Sequence, residues 1–233
     1  SANLAAYFDR QGKKVLLIDA DYQGSLSDIM ALSLRRRGST AKIDEWLSSD
    51  IAPEVLTRTV NPAGANLPNT SFVTAFYSLA SIETKLKIAW LLQSLRDGAA
   101  PDLRYALARI LMSDSAKDRF DIVIIDCPPR LSTAAVNALC TSSDILIPSV
   151  PDSTSLEAVV NFTEMVSKLK AELNPSLRPA GIVPTMTTNL RLTTRERDEL
   201  AALAKDAVHF DGEPYIFKRN IPHKAGKIGR AHV

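Results

Sequence analysis

The stretch Lys13 to Ser27, KKVLLIDADYQGSLS, limits the possible folds more than any other part of the chain. Val15 to Asp19 run apolar and close on a carboxylate, and Asp21 follows two positions later. The chain then turns through Gln23 and Gly24 into Ser25, Leu26 and Ser27. A short continuous apolar run between polar turn residues fits a strand buried on both faces. Such strands belong to α/β sheets, whose ligands sit outside the carboxyl ends of the strands. Asp19 and Asp21 stand at that end. A carboxylate there is costly to bury unless it binds a cation or accepts hydrogen bonds.

Phe120 to Pro129, FDIVIIDCPP, repeats the logic. Ile122 to Ile125 are apolar and β-branched, Asp126 closes the run, and Pro128 and Pro129 prevent further ladder bonding. The expectation is two buried strands, each delivering an acidic group to one edge. In α/β proteins that handle phosphates, such an aspartate holds Mg²⁺, usually through water, while backbone amides hold the phosphates.

LLIDADYQGSLS resembles the second conserved box of the ParA/MinD family of deviant P-loop ATPases, usually written DxDPQG, and DIVIIDCPP resembles that family's Walker B strand. The spacing and the flanking segment NLAAYFDRQGKKV match as well. The resemblance covers nearly the whole chain and is poorest over residues 38–70. Tyr22 stands where the family usually has Pro; it loses the fixed turn dihedral but keeps both carboxylates. The resemblance implies a three-layer P-loop NTPase-like α/β fold, a mostly parallel sheet flanked by helices. It also implies a Gly-rich phosphate loop with two lysines, expected just ahead of Ser1 and outside this sequence. That loop cradles and neutralises the phosphates. The polypeptide as written is therefore expected to bind nucleotide poorly, and the function belongs to the parent protein.

The last seven residues, Lys227 to Val233, match the translation of a common sequencing adapter and are set apart from the fold. The rest is expected to be a single domain over residues 1–226, since 233 residues and 45% hydrophobic content comfortably build one α/β core. Cys127 and Cys140 make no disulfide framework or zinc knuckle, which fits a reduced, cytoplasmic setting. Cys127 reads as a small buried residue beside Asp126 rather than a nucleophile. No apolar run reaches the ~18–20 residues needed to span a bilayer. A net charge of +2 does not by itself point to nucleic acid.

In chain order, the expected elements alternate, which implies parallel strands with right-handed crossovers. A helix to Gln11 with Gly12 at its end precedes the first strand. A helix from Gly24 or Ser25 to Arg37 follows, with Ser25 or Ser27 as cap and Arg35, Arg36 and Arg37 at its end. Residues 40–47 suit a short helix holding Trp46. Residues 50–69 read as loop with one short strand over 55–60, and 71–79 as a strand. Helices are expected over 82–95, 102–112 and 131–140, and a strand over 144–150. A helix over 155–173 capped by Ser153 or Ser155, a strand over 179–186, a helix over 193–207 and a strand over 212–217 complete the chain.

By resemblance, Asp21 positions the attacking water or senses the γ-phosphate, Asp19 supports Mg²⁺ and Asp126 holds it through water. Gln23 and Gly24 belong to the same nucleotide-contacting box. Thr185, Met186 and Pro222 fall near the adenine. Arg191, Arg195, Arg197, Lys218, Arg219 and Lys224 form a basic set which, in DNA-partition members, contacts DNA without sequence preference. His209, His223 and His232 show no metal spacing. The implied protein is a cytoplasmic, nucleoid-associated ATPase using ATP and Mg²⁺. It works as a homodimer with a ParB-like activator and the nucleoid as partners, without membrane insertion. The alternatives are a MinD-like ATPase cycling on the membrane and a degenerate, non-enzymatic pairing partner. A metal-cluster reductase relative is disfavoured by the cysteine placement.

Overall fold

The computed structural model describes residues 1–34, 41–48, 52–58, 60–97, 101–189, 191–206, 216–217 and 219–223. The chain divides into two compact units, Ser1–Thr141 and Ser142–Val233.

In the first unit, helix α1 (Ala2–Arg10) stops at Gln11, and Gly12 takes a left-handed φ of 74° that turns the chain into strand β1 (Val15–Asp19). Helix α2 (Ser25–Leu34) follows, then α3 (Ile43–Ser48), α4 (Pro53–Arg58), β2 (Asn61–Pro62), β3 (Thr70–Val73) and the long α5 (Ser78–Asp97). A 3₁₀ turn (Leu103–Tyr105) leads to α6 (Ala106–Leu111), α7 (Asp114–Arg119), β4 (Ile122–Asp126) and α8 (Thr133–Thr141). The sheet order is β2-β3-β1-β4. β1 runs parallel to both β3 and β4, and only the two-residue β2 is antiparallel.

Every residue of β1 is buried, and its alternating side chains feed two cores. Leu16 and Ile18 pack with Ile43, Trp46, Val73 and Leu107 on one face. Val15 and Leu17 pack with Ala5, Leu26, Met30 and Phe72 on the other. This is why the run reads continuously apolar: helices cover the sheet on both sides, as the α/β expectation required.

The second unit comprises β5 (Asp144–Ser149), α9 (Ser153–Leu173), β6 (Arg178–Thr187), α10 (Thr194–Asp206) and β7 (Ile221–Pro222), with sheet order β5-β6-β7, all parallel. Ile147, Leu156, Val159, Ile182, Leu200 and Leu203 form its core.

Several local expectations change. The strand expected over 55–60 is replaced by α4, whose first residue, Pro53, has the backbone angle a helix start needs, with Glu54 favouring the amino end. The strand expected over 71–79 ends at Val73, and α5 begins at Ser78 rather than Ile82. Leu79 is buried in the core, and the Ser78 hydroxyl donates to Asp44 at 3.2 Å, so this corner folds as helix. The helix expected over 102–112 is a 3₁₀ turn followed by α6, and the unforeseen α7 starts where Ser113 Oγ accepts from the Ala116 N–H at 3.3 Å. The cap of α9 is Asp152, accepting from the Ser155 N–H at 2.9 Å, rather than either serine. β4 was expected to be buried on both faces; its residues are half-buried or, at Val123, exposed. Among the described residues it pairs with β1 alone, so solvent reaches its side. Arg35 to Arg37, the expected 212–217 strand up to residue 215, Lys218, Lys224, His209, His232 and the 227–233 tail lie outside the described residues.

Candidate functional site

β1 and β4 run in register to their last residues, so Asp19 lies directly beside Asp126 at the carboxyl edge of the sheet. Adjacent strands stand about 4.8 Å apart. The backbone closes the corner as well, with the Ala20 N–H donating to the Asp126 carbonyl at 2.8 Å. The shared edge was expected; the side-by-side placement of the two residues is built by the parallel ladder.

The two groups live in different surroundings. Asp19 is 1% exposed, and both its oxygens accept hydrogen bonds. Oδ1 takes the Asp21 N–H at 3.0 Å, and Oδ2 takes the Ser27 N–H at 2.9 Å and the Ser27 hydroxyl at 2.7 Å. Burial raises the Asp19 pKa above the usual aspartate value, against the opposing pull of the Ser27 and Asp21 hydrogen bonds and with a further push from Asp126. Ser27 was expected as a helix cap. Its hydroxyl instead turns inward to Asp19 while accepting the Ala75 N–H at 2.9 Å, tying β1, α2 and the segment after β3 together.

Asp21 is half-buried, and its Oδ1 accepts the Gln23 N–H at 3.0 Å, an Asx-type turn. The Gly24 N–H donates to the Asp21 carbonyl at 2.9 Å. Gly24 has φ of 65°, and a Cβ built there meets the Ala75 carbonyl oxygen at 2.7 Å, so backbone shape and space both demand glycine. The turn is thus locked from both ends and presents the Asp21 carboxylate toward solvent.

Asp126 is half-buried and accepts a hydrogen bond from the Ser1 hydroxyl. The amino end of α1 therefore starts beside Asp126, where its dipole favours an anion. After Asp126 the chain runs through Pro128 and Pro129 to α8, whose start is held by Glu83 Oε1 accepting the Ala134 N–H at 2.6 Å. Cys127 was expected to be buried and is exposed as a residue, since β4 is only partly covered, yet its thiol is pushed up to about 12, first by desolvation and then by Asp126, Asp19 and Asp21. A thiol so disfavoured as thiolate is a poor nucleophile.

Two neighbours were not legible in the sequence. The Arg130 guanidinium lies 4.5 Å from the centre of the Tyr22 ring, a cation–π contact. Tyr77 meets the same ring edge-on at 6.1 Å, and its hydroxyl donates to Gln23 Oε1 at 3.4 Å. Tyr22 thus replaces a fixed proline turn with a side-chain clamp joining the Asp21 turn to the segment after Asp126. Nothing in residue spacing announces contacts between positions 22, 77 and 130.

In the second unit, Thr185, Met186 and Pro222 come together at the end of β6, where Thr185 pairs with Ile221 and Thr187 with Pro222. Thr185 Oγ1 donates to the Ser149 carbonyl at 3.3 Å. Met186 is exposed with φ of 56°, an uncommon conformation for such a residue. Arg191, Arg195, Arg197 and Arg219 are all exposed.

The carboxylate arrangement suits a hard cation. Asp126 and Asp21 offer oxygens with little internal competition, whereas those of Asp19 are already used. No group of three or more His, Cys, Asp or Glu side chains poised for a metal occurs among the described residues. Mg²⁺ suits such a sparse set, because it is commonly held by one or two carboxylates, waters and substrate phosphates.

A family model described as an AAA domain matches residues 1–179. The chain belongs to this family, the ParA/MinD group of P-loop ATPases. It is 30% identical over 187 residues to the chromosome-partitioning ATPase Soj of Thermus thermophilus, covering 79% of this chain and 61% of that protein. It is 26% identical over 222 residues to the chromosome partitioning protein ParA of Caulobacter vibrioides, covering 94% of this chain and 74% of that protein. Among solved structures, cobyrinic acid a,c-diamide synthase from Mycobacterium smegmatis with bound ATP analog and magnesium matches with a TM-score of 0.68 and 27% identity, over 88% of this chain and 74% of that one. Apo McdA of Cyanothece matches with a TM-score of 0.73 at 19% identity, over 95% of this chain and 79% of that one, a likeness of fold. No helix among the described residues is long and apolar enough to cross a membrane.

Proposed function

We propose that the parent protein is an ATP-binding and ATP-hydrolysing switch that partitions chromosomal or plasmid DNA. The observation that carries this reading is the in-register pair Asp19 and Asp126, with Asp21 on a locked turn at the same sheet edge. The partitioning names of the Soj and ParA relatives support the biological role. The ATP analog and magnesium of the synthase structure support the ligands.

In this reading Asp126 holds Mg²⁺ through water, and Mg²⁺ supplies charge neutralisation at the phosphates. Asp21 orients the attacking water or senses the terminal phosphate. Asp19 supports both from behind by fixing the turn, since its own oxygens are engaged by Asp21 and Ser27. Gln23 and Gly24 shape the same turn, and Thr185, Met186 and Pro222 border the base. A Gly-rich, lysine-bearing loop at this sheet edge would cradle and neutralise the phosphates. Residues 1–226 act as one nucleotide-binding domain that dimerises with nucleotide and responds to a ParB-like activator. The exposed Arg191, Arg195, Arg197 and Arg219, with Lys218 and Lys224, bind DNA of the nucleoid through its phosphates.

The test is ATP turnover by the product of the intact gene. The expected result is Mg²⁺-dependent hydrolysis reduced about a hundredfold or more by Asp126→Ala. An intact gene lacking a Gly-rich, lysine-bearing loop upstream, or turnover unchanged in the variant, overturns the reading.

A further inference from the structure

Helix α5 carries two apolar faces, and the fold uses one. Leu79, Leu86 and Trp90 pack against the larger core, and the buried Glu83 holds the start of α8. At 100° per residue, the opposite side presents Ile88, Leu91, Leu92 and Leu95, at the i, i+3, i+4, i+7 spacing of a helix stripe. All four are exposed, from 55% at Ile88 to 77% at Leu95. The stripe is two turns long, about 10 Å. Leaving four large aliphatic groups in water on one helix face marks an interaction site rather than a surface accident.

The rim identifies the occupant. Lys85 and Lys87 are exposed and flank the stripe on either side, and by helical spacing no acidic residue of α5 falls on this side of the helix. Two copies packing this face on themselves would bring like charges together. A single amphipathic helix with acidic flanks satisfies both stripe and rim, in the helix-in-groove manner of short recognition segments. We propose that the outer face of α5 is a docking site for an amphipathic, acid-flanked helix of a partner protein. This inference stands independently of the ATPase reading.

The test uses this chain and two fluorescent helical peptides. Both carry leucines at i, i+3, i+4 and i+7; one is flanked by glutamates and the other by lysines. The glutamate peptide is expected to bind at micromolar concentration by anisotropy, and the lysine peptide at least tenfold more weakly. Leu92→Glu with Leu95→Glu removes binding while circular dichroism stays unchanged, because both residues are exposed. Lys85→Glu with Lys87→Glu reverses the preference toward the lysine peptide. Equal or absent binding of the two peptides overturns the proposal. So does a dimer by light scattering that Leu92→Glu abolishes, which assigns the stripe to a second copy. Binding to phosphatidylglycerol vesicles without peptide preference overturns it in favour of a lipid surface.

Discussion

β1 and β4 are built from almost the same words, VLLID and IVIID, and they end side by side on Asp19 and Asp126. Their physical roles nevertheless differ. β1 lies between two strands and beneath helices on both faces, so its carboxylate is enclosed and must be satisfied from within. Three donors from Asp21 and Ser27 do this, and the aspartate becomes a fastener for the turn that follows. β4 has a neighbour on one side only among the described residues, and its carboxylate stays half-open beside the start of α1. A buried acid that is fully bonded organises, whereas an accessible acid with one hydroxyl partner is available to a cation. The pair shows that position at a strand end does not fix a carboxylate's surroundings; the neighbours decide which is bonded within the protein and which stays accessible.

The contrast breaks first, and most visibly, in the strands themselves. Ile18→Ala, at a fully buried position of β1, is expected to cost about 2–5 kcal/mol. Val123→Ala in β4 is expected to cost no more than about 1 kcal/mol, because that side chain is already 37% exposed. Urea denaturation of both variants compares them, and equal losses would mean that β4 is as enclosed as β1.

The carboxylates sharpen the comparison next. Asp19→Ala orphans two N–H groups at about 1–3 kcal/mol each and relieves a buried charge, for a net loss of about 2–4 kcal/mol. Asp126→Ala is expected to lie within about 0.5 kcal/mol of the parent chain. The pH dependence follows from the raised Asp19 pKa. A carboxylic acid raised on folding stabilises fully below its unfolded value, and that contribution fades as pH rises through the folded value. The stability difference between the parent chain and Asp19→Asn should therefore favour the parent more at pH 4 than at pH 7. A difference independent of pH would show that Asp19 titrates normally.

The smallest effect belongs to the clamp between the two turns. Removing the Arg130–Tyr22 contact should cost about 0.5–1 kcal/mol, as expected for an exposed cation–π pair. A double-mutant cycle of Tyr22→Ala and Arg130→Ala should recover that coupling, and Tyr22→Phe should retain it, since the ring and not the hydroxyl faces the cation. No coupling would mean that the two turns behave independently.

How much of this was readable beforehand depended on distance along the chain. The two apolar runs ending in aspartate and the alternation of helices and strands are local patterns, and they determined the α/β class, the parallel pairing and the edge on which the carboxylates gather. The sequence placed Asp19 and Asp126 on one sheet edge, while their direct pairing came from the in-register β1–β4 ladder. Residues 55–58 and 74–79 were misread as strand because short β-branched or apolar runs suit helix and strand alike, and packing settles them. Pro53 at a helix start and Leu79 in the core chose helix.

The sequence alone therefore determined the fold class and the family, and it nominated the three aspartates. Only the tertiary structure decided that Ser27 serves Asp19 instead of capping a helix, that Gly24 is required by the Ala75 carbonyl, and that Arg130 and Tyr77 close on Tyr22. It likewise decided that one face of α5 is spent on the core while the other stands in water. The physical reason is common to all four. Hydrogen bonds, steric contacts and burial act over a few ångströms in space, and the residues they join here lie up to about a hundred positions apart in sequence.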